Sequence, residues 1–116
     1  MTANRIFHSA EYFQPADGEP IRVVVTESPD AAIVAWHVRP GQTIAAHTHP
    51  QGQDTWTILS GRGQYRTDVD GRTESIRPGD IVVARVGEVH GVFNDGDEPL
   101  VFISVVSPAA AGFHPL

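Results

Sequence analysis

A His-x-His pair, His47-Thr48-His49, is the part of the sequence with the clearest potential for chemistry. Residues i and i+2 of a β-strand point to the same face, so the two imidazoles would stand about 7 Å apart and could share one cation. His90 lies in a separate, later segment, and a closed barrel could bring it opposite the pair. The residues alone leave two alternatives open: a shared metal site, or histidines on unrelated polar surfaces.

The polar turn that follows the pair, residues 50–54, could supply an oxygen ligand. A tight turn there would return Asp54 to a position beside the two histidines. The other interpretation of Asp54 is a solvated turn residue, since Asp is common in turns.

Short strand-like segments separated by turn residues must position these side chains. Their spacing of roughly 8–12 residues is typical of an antiparallel sandwich or barrel. Asp70-Gly71 is the strongest hairpin signal, because both turn positions favour a positive φ. One short helical piece is predicted over residues 8–13. About nine strands are predicted, over residues 21–26, 31–38, 43–49, 55–59, 64–69, 72–76, 81–86, 89–93 and 100–106.

Composition narrows the class of protein. A chain of 116 residues fits one domain, residues 1–116, with a small-residue tail over 107–116 that either packs on the body or is mobile. The formal net charge is −6 and no basic run occurs, so nucleic acid is not an expected partner. Cysteine is absent, which excludes thiolate ligands and nucleophiles. We expect a cytoplasmic protein with no membrane partner, because no apolar run is long enough to span a bilayer.

Nine positions resemble the two sequence motifs of the cupin family in residue type and spacing. The resemblance implies a single antiparallel jelly-roll β-barrel that holds one metal ion on His47, His49 and His90, with Asp54 as the fourth ligand. The matching positions are, in the first motif (residues 41–61), Gly41, His47, His49, Asp54 and Gly61, and, in the second (residues 79–94), Gly79, Gly87, His90 and Asn94.

Two positions depart from the family pattern. Asp54 stands where the family usually has Glu, and the neighbouring Gln53 could substitute for it as a neutral oxygen ligand. Arg85 stands where the second motif has proline. It is either an exposed charge at a strand end or an anchor for a substrate carboxylate, which a guanidinium matches in shape.

The ligand set indicates a divalent transition metal. Three imidazoles with an oxygen ligand suit Fe²⁺, Mn²⁺, Co²⁺, Ni²⁺, Cu²⁺ or Zn²⁺. Such a set leaves coordination positions open, which distinguishes a catalytic or ligand-binding metal from a closed structural one. We expect one ion per chain, with Fe²⁺, Mn²⁺, Ni²⁺ and Zn²⁺ as the candidates.

Strand parity predicts which side chains surround the ion. Trp56 and Ile58 share parity with Asp54 and should point into the barrel, either as walls of a pocket or as plain core residues. Trp36 and His37 have opposite parity, so only one of them faces inward; His37, if inward, is a candidate contact of a ligand histidine. His8 and His114 are expected to be unrelated to the metal.

Three functional hypotheses fit these features. The first is a metal-dependent enzyme acting on a small organic molecule, for which the resemblance favours dioxygenase chemistry, followed by isomerase, decarboxylase or lyase chemistry. The second is a metal-dependent module that binds or senses a small molecule without turnover. The third is a barrel whose histidines hold no metal. A homodimer is the expected assembly.

Overall fold

The computed structural model describes residues 4–116 and consists of two facing antiparallel sheets of five strands each. The first sheet has the order β1-β2-β9-β4-β7 and the second β10-β3-β8-β5-β6. The jelly-roll barrel expected from the sequence is confirmed. The strands are β1 (Val23–Ser28), β2 (Ala31–Val38), β3 (Thr43–Thr48), β4 (Gln53–Ser60), β5 (Gly63–Arg66), β6 (Thr73–Ile76), β7 (Ile81–Ala84), β8 (His90–Phe93), β9 (Leu100–Ser107) and β10 (His114–Pro115).

The apolar core fills one end of the space between the sheets. Alternate residues of the long central strands face it, because successive side chains of a strand point to opposite faces. Trp56 of β4 stacks on Phe102 of β9 with ring centroids 4.2 Å apart. The core consists of Val38, Trp56, Ile58, Tyr65, Ile76, Val92, Leu100 and Phe102. The other end is left for polar side chains.

The boundaries differ from the predicted strands where side chains bond to the backbone. The strand predicted over 64–69 ends at Arg66, whose guanidinium donates to the carbonyls of Asp68 and Val69. The Asp68 carboxylate accepts two further backbone N–H groups, so residues 67–72 form a loop rather than a two-residue turn. β4 begins at Gln53, earlier than predicted, which places Asp54 in a strand. The predicted helical piece is a 3-10 turn, Ser9–Glu11.

The C-terminal tail forms a strand of its own. β10 pairs antiparallel with β3, opposite His47 and Thr48. Of the two alternatives left open for the tail, packing is the one observed. Within residues 4–116, no helix is long and apolar enough to cross a membrane.

Candidate metal centre

Four side chains from three strands and one loop meet at the polar end of the barrel. One ligand atom from each of His47, His49, Asp54 and His90 lies within 4.8 Å of the others, so the group could hold a metal ion. All four residues are buried, and His90 is fully so. The structure thus brings together the four residues that the motifs indicated as candidate ligands.

Strand pairing accounts for the meeting of these residues. His47 of β3 lies directly opposite His90 of β8, and their ring centroids are 4.1 Å apart. His49 follows the end of β3, where its backbone carbonyl accepts a hydrogen bond from the N–H of Gly87. Asp54 reaches the histidines from β4 of the facing sheet. Backbone hydrogen bonds to neighbouring segments therefore fix the main chain at each of the four residues.

The three histidines are oriented in the same way. The Nδ1–H of His47 donates to the carbonyl of Ala45 (2.8 Å) and that of His90 to the carbonyl of Glu88 (3.2 Å). The Nδ1–H of His49 donates to the carbonyl of Gly112 (2.6 Å). A neutral imidazole with its proton on Nδ1 has a free lone pair on Nε2. All three lone pairs are thus available to one ion, as is usual for metal-binding histidines.

Asp54 is held by a hydroxyl group on one side and faces the histidines on the other. Ser104 donates its O–H to Oδ1 at 2.5 Å. Oδ2 lies 3.3 Å from Nε2 of His90 and 3.6 Å from Nε2 of His49. Burial alone would raise the pKa of the Asp54 carboxyl, but the nearby imidazoles of His49 and His90 and the hydroxyl of Ser104 outweigh it and hold the pKa below its usual value.

Burial and the carboxylate act in opposite directions on two of the histidines. Burial lowers the pKa of His47 to about 4, so this imidazole is neutral at physiological pH. The carboxylate of Asp54, which lies 3.6 Å from Nε2, raises the pKa of His49 despite its burial. The carboxylate therefore stabilises positive charge at the His49 side of the cluster.

The four side chains offer a donor set that fits a cation. Three Nε2 lone pairs and a carboxylate are all hydrogen-bond acceptors, and acceptors that face one another in a buried site repel unless a positive charge lies between them. Nε2 of His49 is buried and has no hydrogen-bond partner within the described part of the chain. A divalent ion bound at about 2.0–2.2 Å from each ligand would satisfy all four atoms at once. Imidazole and carboxylate ligands fit the transition metals predicted from the sequence.

A cavity of about 280 Å³ opens beside the cluster and is lined by three of its four residues, His47, His49 and Asp54. Its walls are mostly apolar and include Trp36, Trp56 and Phe113. The segment before β1 lines the same cavity through Glu19, Pro20 and Arg22. Gln42 anchors this segment by donating its side-chain amide to the carbonyls of Ala16 and Gly18. A small molecule could therefore reach the polar end of the barrel between apolar walls.

The other predicted site residues are distributed differently. Trp56 lines the cavity and also packs in the core, so both interpretations of it hold. Ile58 lies in the core and does not line the cavity. Gln53 is exposed and donates to the Thr55 hydroxyl, because its parity is opposite to that of Asp54; the carboxylate, not the amide, faces the histidines.

His37 and Arg85 do not line the cavity. Trp36 is the inward residue of its pair, which leaves His37 on the opposite face of β2. The Arg85 side chain is 71% exposed and lies 3.6 Å from the carboxylate of Glu88. The exposed-charge interpretation of Arg85 therefore fits, and the arginine that lines the cavity is Arg22 instead.

Three residues that contact the ligands were missed in the sequence. Ser104 had a usable signal, since it is the single hydroxyl residue on the inward parity of the apolar segment 100–106. Gly112 and Phe113 had none, because the tail has no periodic pattern and its contact with the histidines spans more than sixty residues of chain.

Comparison with known proteins relates the whole barrel to one family. Residues 34–106 match the family model described as the cupin domain. A solved structure from Klebsiella pneumoniae, an uncharacterised conserved protein with a double-stranded β-helix domain, is 50% identical, covers 97% of both chains and superimposes with a TM-score of 0.93.

Two further relatives are more distant. An oxalate-binding protein of Thermotoga maritima is 30% identical over 67 residues, which are 58% of this chain and 54% of that protein, so the match spans about half the length of the curated relative. The polyketide cyclase RemF of Streptomyces resistomycificus is 16% identical with a TM-score of 0.80, and the alignment covers 99% of this chain and 86% of that chain. At this identity the likeness shows the fold alone.

Proposed function

Since the chain belongs to the cupin family, we propose that it is a metal-dependent enzyme that acts on a small organic molecule. The observation that carries this proposal is the convergence of four buried acceptor groups on one point beside an apolar cavity. The bound metal would supply a Lewis acid with open coordination positions, able to bind an oxygen atom of the substrate or dioxygen. His47, His49, His90 and Asp54 would hold it.

Dioxygenase chemistry is the reaction class that we place first. Isomerase and lyase reactions need a general base within hydrogen-bond reach of the substrate. Among the residues that line the cavity, the carboxylates are Asp54, which is a ligand, and Glu19, which is exposed. A cavity so poor in proton-transferring groups favours a reaction in which the metal, rather than an acid–base pair, activates the reactants.

The substrate class follows from the walls. Apolar and aromatic side chains favour a molecule with a flat or apolar body, and Arg22 offers a cationic group for a carboxylate. The similarity to an oxalate-binding protein supports an organic acid as the ligand. We therefore propose a small organic acid, and we would include oxalate, phenolic acids and keto acids in the first panel.

The experiment measures metal content first and turnover second. Protein purified without a histidine tag is stripped, reloaded with Fe²⁺, Mn²⁺, Ni²⁺ or Zn²⁺, and analysed for metal per chain. Oxygen consumption by the Fe²⁺ form is then followed with each acid. We expect one metal ion per chain and oxygen uptake with at least one acid. A metal content far below one per chain with every ion would overturn the metal site.

A binding or sensing module without turnover is the second candidate. The scarcity of acid–base groups around the cavity also fits this function. The two candidates differ in a simple readout: acids that raise the melting temperature of the metal-loaded protein, with no consumption of oxygen or acid, support binding alone. Measurable turnover supports the enzyme.

We further propose that the chain forms a homodimer through the outer face of the first sheet. This face presents β-branched apolar side chains, which isolated monomers rarely expose in a continuous patch. They include Ile33, Ile81, Val83, Val101, Ile103 and Val105. Sedimentation velocity should give a dimer that Ile103→Glu converts to a monomer; a monomeric parent protein would contradict this proposal.

A further inference from the structure

His49 differs from the other two histidines in the origin of its orienting partner. His47 and His90 donate their Nδ1–H groups to carbonyls two residues earlier in their own segments. His49 donates to the carbonyl of Gly112, 63 residues away, at the short distance of 2.6 Å. Its orientation therefore depends on the position of the C-terminal segment, residues 111–116.

The C-terminal segment is fixed on both sides of this carbonyl. Ala111 is buried, and its carbonyl accepts the N–H of Gln51 at 3.1 Å. Beyond Gly112, β10 pairs with β3, and the N–H of Leu116 donates to the carbonyl of Ala46 at 3.3 Å. The Gly112 carbonyl is thus held by neighbouring backbone bonds that do not involve His49.

Phe113 brings the same segment to the cavity. Its ring centroid lies 4.8 Å from that of His47, and it lines the cavity wall. The ring is 58% exposed, so core packing does not account for its position. One short segment therefore contacts two of the histidines and forms part of the wall.

We propose that the C-terminal segment is a positioning element of the metal centre: Gly112 aims Nε2 of His49 at the shared point, and Phe113 covers the cavity beside His47. The part of this inference that concerns metal affinity rests on the proposed metal site. The part that concerns the orientation of His49 and the covering of the cavity does not.

Gly112 offers a selective way to displace the carbonyl. Its φ is +80°, and an added Cβ would lie 2.7 Å from Cγ of Pro50, so Gly112→Ala must shift either the segment or Pro50, the residue next to His49. Gly71 is a matched control with a φ of +91° and nothing within 4 Å of an added Cβ. Gly71→Ala introduces similar backbone strain far from the histidines.

The first experiment compares Zn²⁺ affinity by chelator competition in the parent protein, Gly112→Ala and Gly71→Ala, with circular dichroism as a check on folding. Loss of a hydrogen-bond partner of a metal-ligating histidine typically lowers affinity about 10–100-fold. We expect this loss in Gly112→Ala and an unchanged affinity in Gly71→Ala. Equal affinities in a folded Gly112→Ala would overturn the inference. Absence of Zn²⁺ binding in the parent would overturn the proposed metal site instead.

Two measurements need no metal and no displaced segment. Nitrogen-15 NMR of the metal-free parent should show the His49 proton on Nδ1; a proton on Nε2 alone would contradict the inference. Acrylamide quenching of tryptophan fluorescence reports on access to the cavity, because Trp36 and Trp56 line it. Phe113→Ala should increase quenching, and Phe93→Ala, an exposed phenylalanine elsewhere, should not. Unchanged quenching in Phe113→Ala would contradict the proposal that Phe113 covers the cavity.

Discussion

The inner faces of β4 and β9 have an apolar half and a polar half, although both halves belong to the same paired strands. Ile58 lies opposite Phe102 in the apolar half. Two residues before Ile58 in β4, Trp56 lies opposite Ser104. Two residues before Trp56 comes Asp54. All five of these residues are buried, so the two halves differ in the chemistry of their side chains and in the cavity that adjoins the polar half.

This difference separates stability from function. The apolar half stabilises the fold by removing apolar surface from water, at roughly 25 cal/mol per Å². The polar half holds a buried carboxylate and faces three buried imidazoles, which lowers stability unless every group is paired. Substitutions in the apolar half should therefore change the free energy of unfolding, and substitutions in the polar half should change metal affinity.

The largest effect is expected from loss of a ligand. His49→Ala removes one of four donors and should abolish metal loading, while the β-rich circular dichroism spectrum is retained. Metal content per chain is the measurement. His8→Ala is the control, because this histidine is exposed and lies outside the ligand cluster. Full metal loading of His49→Ala would contradict the assignment of metal binding to the polar half.

A large effect on stability is expected in the apolar half. Phe102 is fully buried, so Phe102→Ala should lower the free energy of unfolding by about 3–5 kcal/mol. Urea denaturation of the metal-free protein measures it, with the exposed Phe93→Ala as the control. The folded fraction should still bind one metal ion. A change of metal affinity as large as that of a ligand variant would show that the two halves are coupled.

A smaller effect is expected from the residue that orients the carboxylate. Ser104→Ala removes the hydroxyl that donates to Asp54, so Zn²⁺ affinity should fall about tenfold. Chelator competition measures it. Ser75→Ala, whose hydroxyl accepts from Gln64 on the surface, is the matched control and should leave the affinity unchanged. An unaltered affinity in Ser104→Ala would mean that the hydrogen bond from Ser104 does not orient Asp54 for metal binding.

The smallest effect is expected from Arg85. Its side chain is exposed and pairs with Glu88, so Arg85→Gln should change stability by less than about 0.5 kcal/mol. Binding of the organic acids should also be unchanged. Arg22→Gln, which removes the positive charge of an arginine that lines the cavity, should weaken binding of acids relative to neutral analogues. If Arg85→Gln weakens binding of the acids and Arg22→Gln does not, Arg85 is the anchor for the carboxylate.

The site residues that could be predicted from the sequence are those whose positions follow from strand parity and from spacing within a motif. Strand parity and motif spacing identified His47, His49 and His90, because strand pairing converts spacing directly into position. Parity failed for His37 only because either member of its pair could face inward. Gly112 could not be predicted, since its contact with His49 depends on how the tail docks and no pattern of residues encodes that. Asp54 was ambiguous because its strand begins earlier than the turn residues indicated.

X-ray absorption spectroscopy of the protein loaded with one equivalent of Zn²⁺ tests whether the two sheets share one metal centre. We expect three imidazole nitrogens at about 2.0–2.1 Å together with at least one oxygen. The His90→Ala variant should lose one imidazole or fail to bind. A spectrum with oxygen ligands alone, or one that His90→Ala leaves unchanged, would contradict a metal centre shared between the two sheets.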